Sequence, residues 1–141
     1  MPDTPFSLEE IRESFAFFDD WEDKYRFIID LGKSLPALPE SARREHNLVR
    51  GCQSQVWVDA AFDPGSGAVT LAIDSDAHIV RGLIAIVLAA YQGRTPAEIL
   101  AFDIEGLFDE LALLKHLSPT RGNGLRALIA RIRELAARHA G

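Results

Sequence analysis

The sequence has 141 residues, of which 48% are hydrophobic and 26% charged, and this is typical of one globular domain spanning residues 1–141 that builds its core without disulfides or metals. Its 21 acidic residues outnumber the 15 basic ones and give a formal charge of -6, which argues against nucleic acid or an anionic membrane as the main partner. We recognise neither a secretory leader nor an apolar run long enough to span a bilayer, so we expect a cytoplasmic protein.

Two helices are predicted at the start of the chain. Ser7 and Glu10 have the spacing of a capping box, which predicts a helix from about Leu8. Asp20 is expected to cap a second helix, which ends before Pro36 because proline cannot continue it. A polar loop then leads to the central part of the sequence.

The central part predicts a β-hairpin. Side chains alternate in polarity from Cys52 to Phe62, which is typical of a strand. Residues 63–67 supply a turn, and residues 69–73 alternate again as an antiparallel partner. Because two strands are only marginally stable, we expect residues around 48–50, or another short segment, to add a third.

The apolar segment after the hairpin predicts a buried helix. We interpret Asp74 and Asp76 as residues that cap its start, in preference to an acid–base pair. The helix should end near Gly93. Thr95 and Glu98 form a second capping box and predict a short helix.

Two more helices are predicted near the C-terminus. One carries apolar residues from Leu107 to Leu114, and the other begins after Ser118. Gly122 and Gly124 should make the first turns of this last helix weak or irregular. The order of elements predicts an α+β fold with a small antiparallel sheet and helices packed on one of its faces.

Cys52 is the only cysteine in the sequence. One thiol cannot close an intramolecular disulfide, and alone it cannot hold zinc or an iron–sulfur cluster. Free cysteines are often buried as small hydrophobes. However, Gly51 before Cys52 and the polar Gln53 and Ser54 after it are unusual neighbours for a core residue, and they favour a reactive thiol at a loop edge.

The segment from Gly51 to Trp57 resembles the signature of the SufE family, sulfur-acceptor proteins that work with cysteine desulfurases in iron–sulfur cluster assembly. Residues 21–36, 74–84 and 116–121 resemble further blocks of that family, in the same order. The resemblance thus covers nearly the whole chain, and it implies a fold of the SufE and IscU type.

The resemblance implies that Cys52 accepts a sulfane sulfur, as a persulfide, from a SufS-like cysteine desulfurase and relays it to a SufBCD-like scaffold for cluster assembly. It implies no cofactor or metal on this chain, since pyridoxal phosphate is expected on the desulfurase. Arg121 matches a family position whose cation would favour the thiolate. Its alternative interpretation is a solvated surface arginine. The other residues implied to position Cys52 or contact the partner are Gly51, Gln53, Ser54 and Asp74.

Other functions are set against this one. An IscU-like scaffold would need several thiolates, and the chain has one. An interaction module would use Cys52 only as a core residue. Strand parity turns Cys52 toward Val56 and Val58, so we expect it to be largely buried until a partner moves its loop. A homodimer and the roles of Arg50, Trp57 and His116 stay open, and Trp57 could either pack beneath a helix or anchor an interface.

Overall fold

The structure is a computed structural model that describes residues 7–35, 47–49 and 55–139. Its described elements are helices packed with one antiparallel pair of strands, so the predicted α+β fold is confirmed. In chain order they are α1 (Leu8–Phe17), α2 (Trp21–Lys33), β1 (Val56–Phe62), β2 (Val69–Ser75), α3 (His78–Tyr91), α4 (Pro96–Ala101), α5 (Ile104–Glu110), a 3-10 helix (Leu114–His116) and α6 (Pro119–Ala137).

The helix starts follow the capping chemistry read from the sequence. Ser7 and Glu10 form the predicted capping box at α1, and Thr95 and Glu98 form the one at α4. The Asp20 side chain accepts a 2.9 Å hydrogen bond from the backbone N–H of Asp23 at the start of α2. Each cap satisfies backbone N–H groups that have no partner inside the helix.

The strands form the predicted hairpin, with Val58 opposite Ile73 in the register. Among the described residues the predicted third strand is reduced to one isolated antiparallel bridge, which joins Leu48 to Trp57. Val56, Trp57 and Val58 are all buried, so both faces of β1 are covered at this end. Trp57 keeps only 8% of its surface exposed, which favours the packing interpretation over an interface anchor.

The core is centred on α3, which packs against α2 and β2, while α6 packs against α4 and β1. Leu83 to Leu88 are all buried, as the apolar run predicts. The close approach of α2 to α3 occurs at Gly32 and Gly82, where a Cβ on either residue would meet backbone atoms of the other helix. Glycine is required there because the two backbones touch.

Three local predictions were wrong. Asp74 lies inside β2 and does not cap α3, whose N-cap is Ala77 without any side-chain hydrogen bond. Helix α5 ends at Glu110, short of Leu114, and Ala112 follows with a φ of 54°. The last helix is continuous from Pro119 through both glycines, because the Ser118 cap and the burial of Gly122 support its first turns.

Candidate functional site

Cys52 and its neighbours Gly51, Gln53 and Ser54 lie outside the described residues, as does Arg50. The structure does describe the two places where this part of the chain is anchored. On the N-terminal side, the Val49 N–H donates a 2.8 Å hydrogen bond to the Val56 carbonyl. Val49 and Val56 therefore lie side by side, and residues 50–55 separate them in the sequence.

Gln55 is the second anchor, and its backbone is held on both sides. Its N–H donates to an Asp76 carboxylate oxygen at 3.1 Å. Its carbonyl accepts from the Ser75 hydroxyl at 2.7 Å and from the Asp76 N–H at 3.3 Å. In the sequence, Cys52 is three residues from Val49 and three from Gln55.

Asp74 is completely buried at the end of β2, next to this anchor. Its carboxylate forms an ion pair with Arg81 of α3 and accepts a 2.8 Å hydrogen bond from the Ser75 N–H. A carboxylate so enclosed and paired serves structure and is not exposed to a substrate. Asp74 therefore adjoins the cysteine segment through Ser75, which also bonds Gln55.

Arg81 is the residue here that the sequence interpretation missed. Besides its ion pair with Asp74, its guanidinium donates to the carbonyl oxygens of Gly32 at 3.3 Å and Leu35 at 2.6 Å. The available signal was one charge within an otherwise apolar helix, because a cation there must find buried partners.

Arg121 lies in the first turn of α6, where its N–H donates to the Ser118 hydroxyl at 3.2 Å. The side chain is partly buried, and within the described part of the chain its Nη1 atom is buried without a hydrogen-bond partner. A solvated surface arginine would not have this environment, so that alternative is disfavoured. The proximity of Arg121 to Cys52 stays a prediction.

Two of the sequence blocks meet near this helix start. The rings of Trp21 and His116 stack with centroids 3.8 Å apart, and the Tyr25 hydroxyl donates to the His116 carbonyl at 2.6 Å. The Lys24 ammonium lies 5.1 Å from the Trp21 ring centroid. His116 therefore has a packing role, and it holds α2 against the turn that precedes α6.

A comparison with protein families identifies the family of this chain. A family model described as SufE, Fe-S metabolism associated domain, matches residues 9–136. This chain belongs to the SufE family. Membership in SufE assigns the protein to iron–sulfur metabolism and implies partners that act there. It also confirms the resemblance first seen in four separate sequence blocks.

Individual SufE relatives cover the same span. An uncharacterized SufE-like protein of Rhizobium etli is 50% identical over 132 residues, which cover 92% of this chain and 89% of that protein. A second, from Rhizobium meliloti, is 48% identical over 132 residues, covering 92% and 94% respectively. The solution structure of a hypothetical protein from Thermus thermophilus has a TM-score of 0.74 at 21% identity, covering 94% of both chains, and this supports the fold.

Over residues 7–35, 47–49 and 55–139, no helix is both long and apolar enough to cross a membrane. The same ranges contain no group of three or more His, Cys, Asp or Glu side chains placed to hold a metal ion.

Proposed function

We propose that this SufE protein accepts sulfur on Cys52 from a cysteine desulfurase and passes it to an iron–sulfur scaffold. The observation that carries the proposal is the position of the chain's one cysteine. It lies in the Gly51–Trp57 signature of a confirmed SufE chain, between two anchors at Val49 and Gln55 that the structure fixes by hydrogen bonds.

The chemistry is one thiol exchange. The Cys52 thiolate attacks the outer sulfur of the desulfurase persulfide, a new S–S bond forms at Cys52, and the S–S bond of the donor breaks. The electron pair of the broken bond leaves on the donor cysteine as its thiolate. The transferred sulfur keeps its proton, so atoms and charge balance without an external oxidant or reductant.

The exchange requires a thiolate on Cys52 within reach of the donor. Arg121 is the candidate cation, since its Nη1 has no hydrogen-bond partner among the described residues and is held in the first turn of α6. Gly51, Gln53 and Ser54 would present the thiol, while Asp74 acts indirectly through its neighbour Ser75. Pyridoxal phosphate would remain on the SufS-like donor, and this chain would need no cofactor.

Reduced thiols must be available for repeated turnover, so we place the exchange in the cytoplasm. The next acceptor would be a SufBCD-like scaffold, which takes the sulfur by the same exchange with Cys52 as donor. A homodimer is not required for either step, because one thiol suffices for each exchange.

Intact mass spectrometry tests the first step. The protein is incubated with a SufS-like cysteine desulfurase, cysteine and limiting reductant, and Cys52→Ser serves as the matched control. We expect the wild-type protein, but not Cys52→Ser, to gain the mass of one sulfur atom. A desulfurase that becomes persulfidated while Cys52 stays unmodified would refute the proposal.

Stimulation of the desulfurase separates this function from an interaction module. Under the proposal, Cys52→Ala folds normally and binds the desulfurase but no longer raises its turnover, because the persulfide is not removed. Retained stimulation by Cys52→Ala would favour the interaction module. A stable visible cluster after anaerobic reconstitution would instead favour an IscU-like scaffold.

A further inference from the structure

Arg81 joins the C-terminal part of α2 to the end of β2. Its guanidinium donates to the carbonyls of Gly32 and Leu35, at the C-terminal end of α2. It also pairs with Asp74, at the end of β2. An arginine suits this place because its planar fork directs several N–H groups at once, whereas an ammonium acts as a point charge.

The Asp74 end of this contact continues directly to the cysteine segment. Asp74 accepts from the Ser75 N–H at 2.8 Å, and the Ser75 hydroxyl donates to the Gln55 carbonyl at 2.7 Å. Gln55 is three residues after Cys52 in the sequence and is the first described residue after it. The path from Arg81 to Gln55 thus has three steps: the ion pair with Asp74, the hydrogen bond between Asp74 and its covalent neighbour Ser75, and the hydrogen bond from Ser75 to Gln55.

Burial makes this path stiff. The Arg81 side chain keeps 16% of its surface exposed and Asp74 keeps none, so water competes poorly for their contacts. A buried ion pair that also satisfies two backbone carbonyls has one favourable geometry, and it fixes the elements that it joins.

We propose that Arg81 is a positioning residue for the Cys52 segment, which it controls by holding β2 and the Gln55 anchor at a fixed place relative to α2. This proposal rests on the proposed sulfur-acceptor function. Arg81 would touch neither the sulfur nor the desulfurase, and its effect would be on how well the thiol is aligned with the donor persulfide.

Two substitutions of Arg81 test the idea, with one matched control. Arg81→Gln removes both the charge and the guanidinium group, whereas Arg81→Lys keeps the charge but lacks the guanidinium. Arg94→Gln is the control, because Arg94 also bonds a backbone carbonyl, that of Ala90 at 2.6 Å, but lies beyond the other end of α3. Thermal melts establish that each variant is folded.

Hydrogen exchange measures how firmly the Gln55 anchor is held, and it does not depend on sulfur transfer. We expect the Gln55 and Asp76 amides to exchange about tenfold faster in Arg81→Gln than in wild type, with Arg81→Lys between them. The Asp63 amide, bonded to the Ala68 carbonyl at 2.9 Å at the opposite end of the hairpin, should be unchanged. Arg94→Gln should leave the Gln55 and Asp76 amides as in wild type.

The single-turnover rate of Cys52 persulfidation measures how well the thiol is aligned with the donor persulfide. At saturating desulfurase the rate should fall about tenfold in Arg81→Gln, since small misplacements of reacting groups are costly. The half-saturating concentration should change less than about twofold, because Arg81 does not touch the partner. If the saturating rate fell only because part of the protein were unfolded, the fall would scale with the unfolded fraction. Arg94→Gln, at an equal unfolded fraction, would then show the same fall.

Unchanged exchange at Gln55 and Asp76, or an unchanged saturating rate in folded variants, overturns the proposal. If Arg81→Gln does not fold, Arg81→Lys decides alone, and wild-type behaviour in it overturns the proposal. If wild-type Cys52 takes up no sulfur, the proposed function fails, and the exchange data still decide whether Arg81 holds the anchor.

Discussion

Trp21 and His116 lie face to face, with ring centroids 3.8 Å apart and ring planes 14° from parallel. The Nδ1 atom of His116 also lies 3.1 Å from the Ala112 carbonyl oxygen, so the ring is held at one face and at one edge. These contacts join the first turn of α2 to the chain just before α6. Because Arg121 lies in the first turn of α6, the same contacts help to place it.

Loss of this stack should lower stability. Trp21→Leu is expected to reduce the free energy of unfolding by about 1–3 kcal/mol, from lost burial and the lost ring pair. Phe17→Ala is the control, since Phe17 is 79% exposed and its removal should change stability by less than about 0.5 kcal/mol. In a double-mutant cycle with His116→Ala, denaturant melts should give a coupling of about 0.5–1.5 kcal/mol. Additive effects would show that the stack contributes nothing.

A methyl group at Gly82 should be strongly destabilising. The Cβ of alanine would collide with the Ile28 carbonyl in the facing helix, so α2 and α3 would have to separate. We expect Gly82→Ala to cost about 1–3 kcal/mol or more in a urea melt. Gly122→Ala is the matched control, because its nearest contact would be the Leu114 side chain at 3.7 Å. That substitution should stabilise α6 by about 0.5–1 kcal/mol, and equal effects at the two sites would contradict the packing argument.

The side-chain amide of Gln92 forms the two hydrogen bonds that a neighbouring strand would otherwise make to Leu71 at the edge of β2. Its side-chain oxygen accepts from the Leu71 N–H at 2.7 Å, and its amide nitrogen donates to the Leu71 carbonyl at 2.8 Å. Gln92→Met keeps the length and removes both bonds, which should cost about 1–3 kcal/mol and promote aggregation through the exposed edge. The Leu71 amide should lose protection from exchange, while the Val69 amide keeps its bond to the Arg94 carbonyl. Unaltered Leu71 protection would argue against this role.

The sequence predicted the starts of α1, α2, α4 and α6 well because their determinants are local. Ser7, Asp20, Thr95 and Ser118 each bond a backbone N–H three residues further on, so the partner is visible in the sequence itself. Gly122 was misjudged for the opposite reason. Intrinsic propensity disfavours it in a helix, but a strong cap and burial against the core outweigh that cost.

The candidate site was predictable only as far as its motif. The signature around Cys52 and the SufE blocks indicate the family and implicate Asp74 near the cysteine, but the local pattern predicts a capping role for Asp74. Its real partner is Arg81, seven residues later and one element away, and the partners of Gln55 lie 20 and 21 residues further along the chain. Such contacts depend on how the elements pack, and a local pattern does not contain that information.

Tyr91 makes the stability of the protein depend on alkaline pH. The residue is fully buried, its ring contacts Phe102 edge-on at 6.0 Å, and in the described part of the chain its hydroxyl has no hydrogen-bond partner. Burial raises the pKa of Tyr91 above its ordinary value of 10.0, because the phenolate would lose its hydration. The Arg133 guanidinium beside the hydroxyl acts in the opposite direction, by its polar contact with the hydroxyl first and by its positive charge second, and it is the smaller effect.

The sign of the resulting pH dependence follows from the raised pKa. Below about pH 10 the phenol is protonated in both states, and the stability is fully present. As the pH rises further, the unfolded chain ionises first, so the free energy of unfolding should fall by up to about 1.4 kcal/mol per pH unit until the folded pKa is reached. Tyr91→Phe should remove this component, and at pH 7 it should change the free energy of unfolding by less than about 1 kcal/mol, because the buried hydroxyl has no hydrogen bond of good geometry to lose. Denaturant melts from pH 8 to 11 on both proteins measure the difference. Parallel curves above pH 10 would show that Tyr91 does not titrate differently on folding.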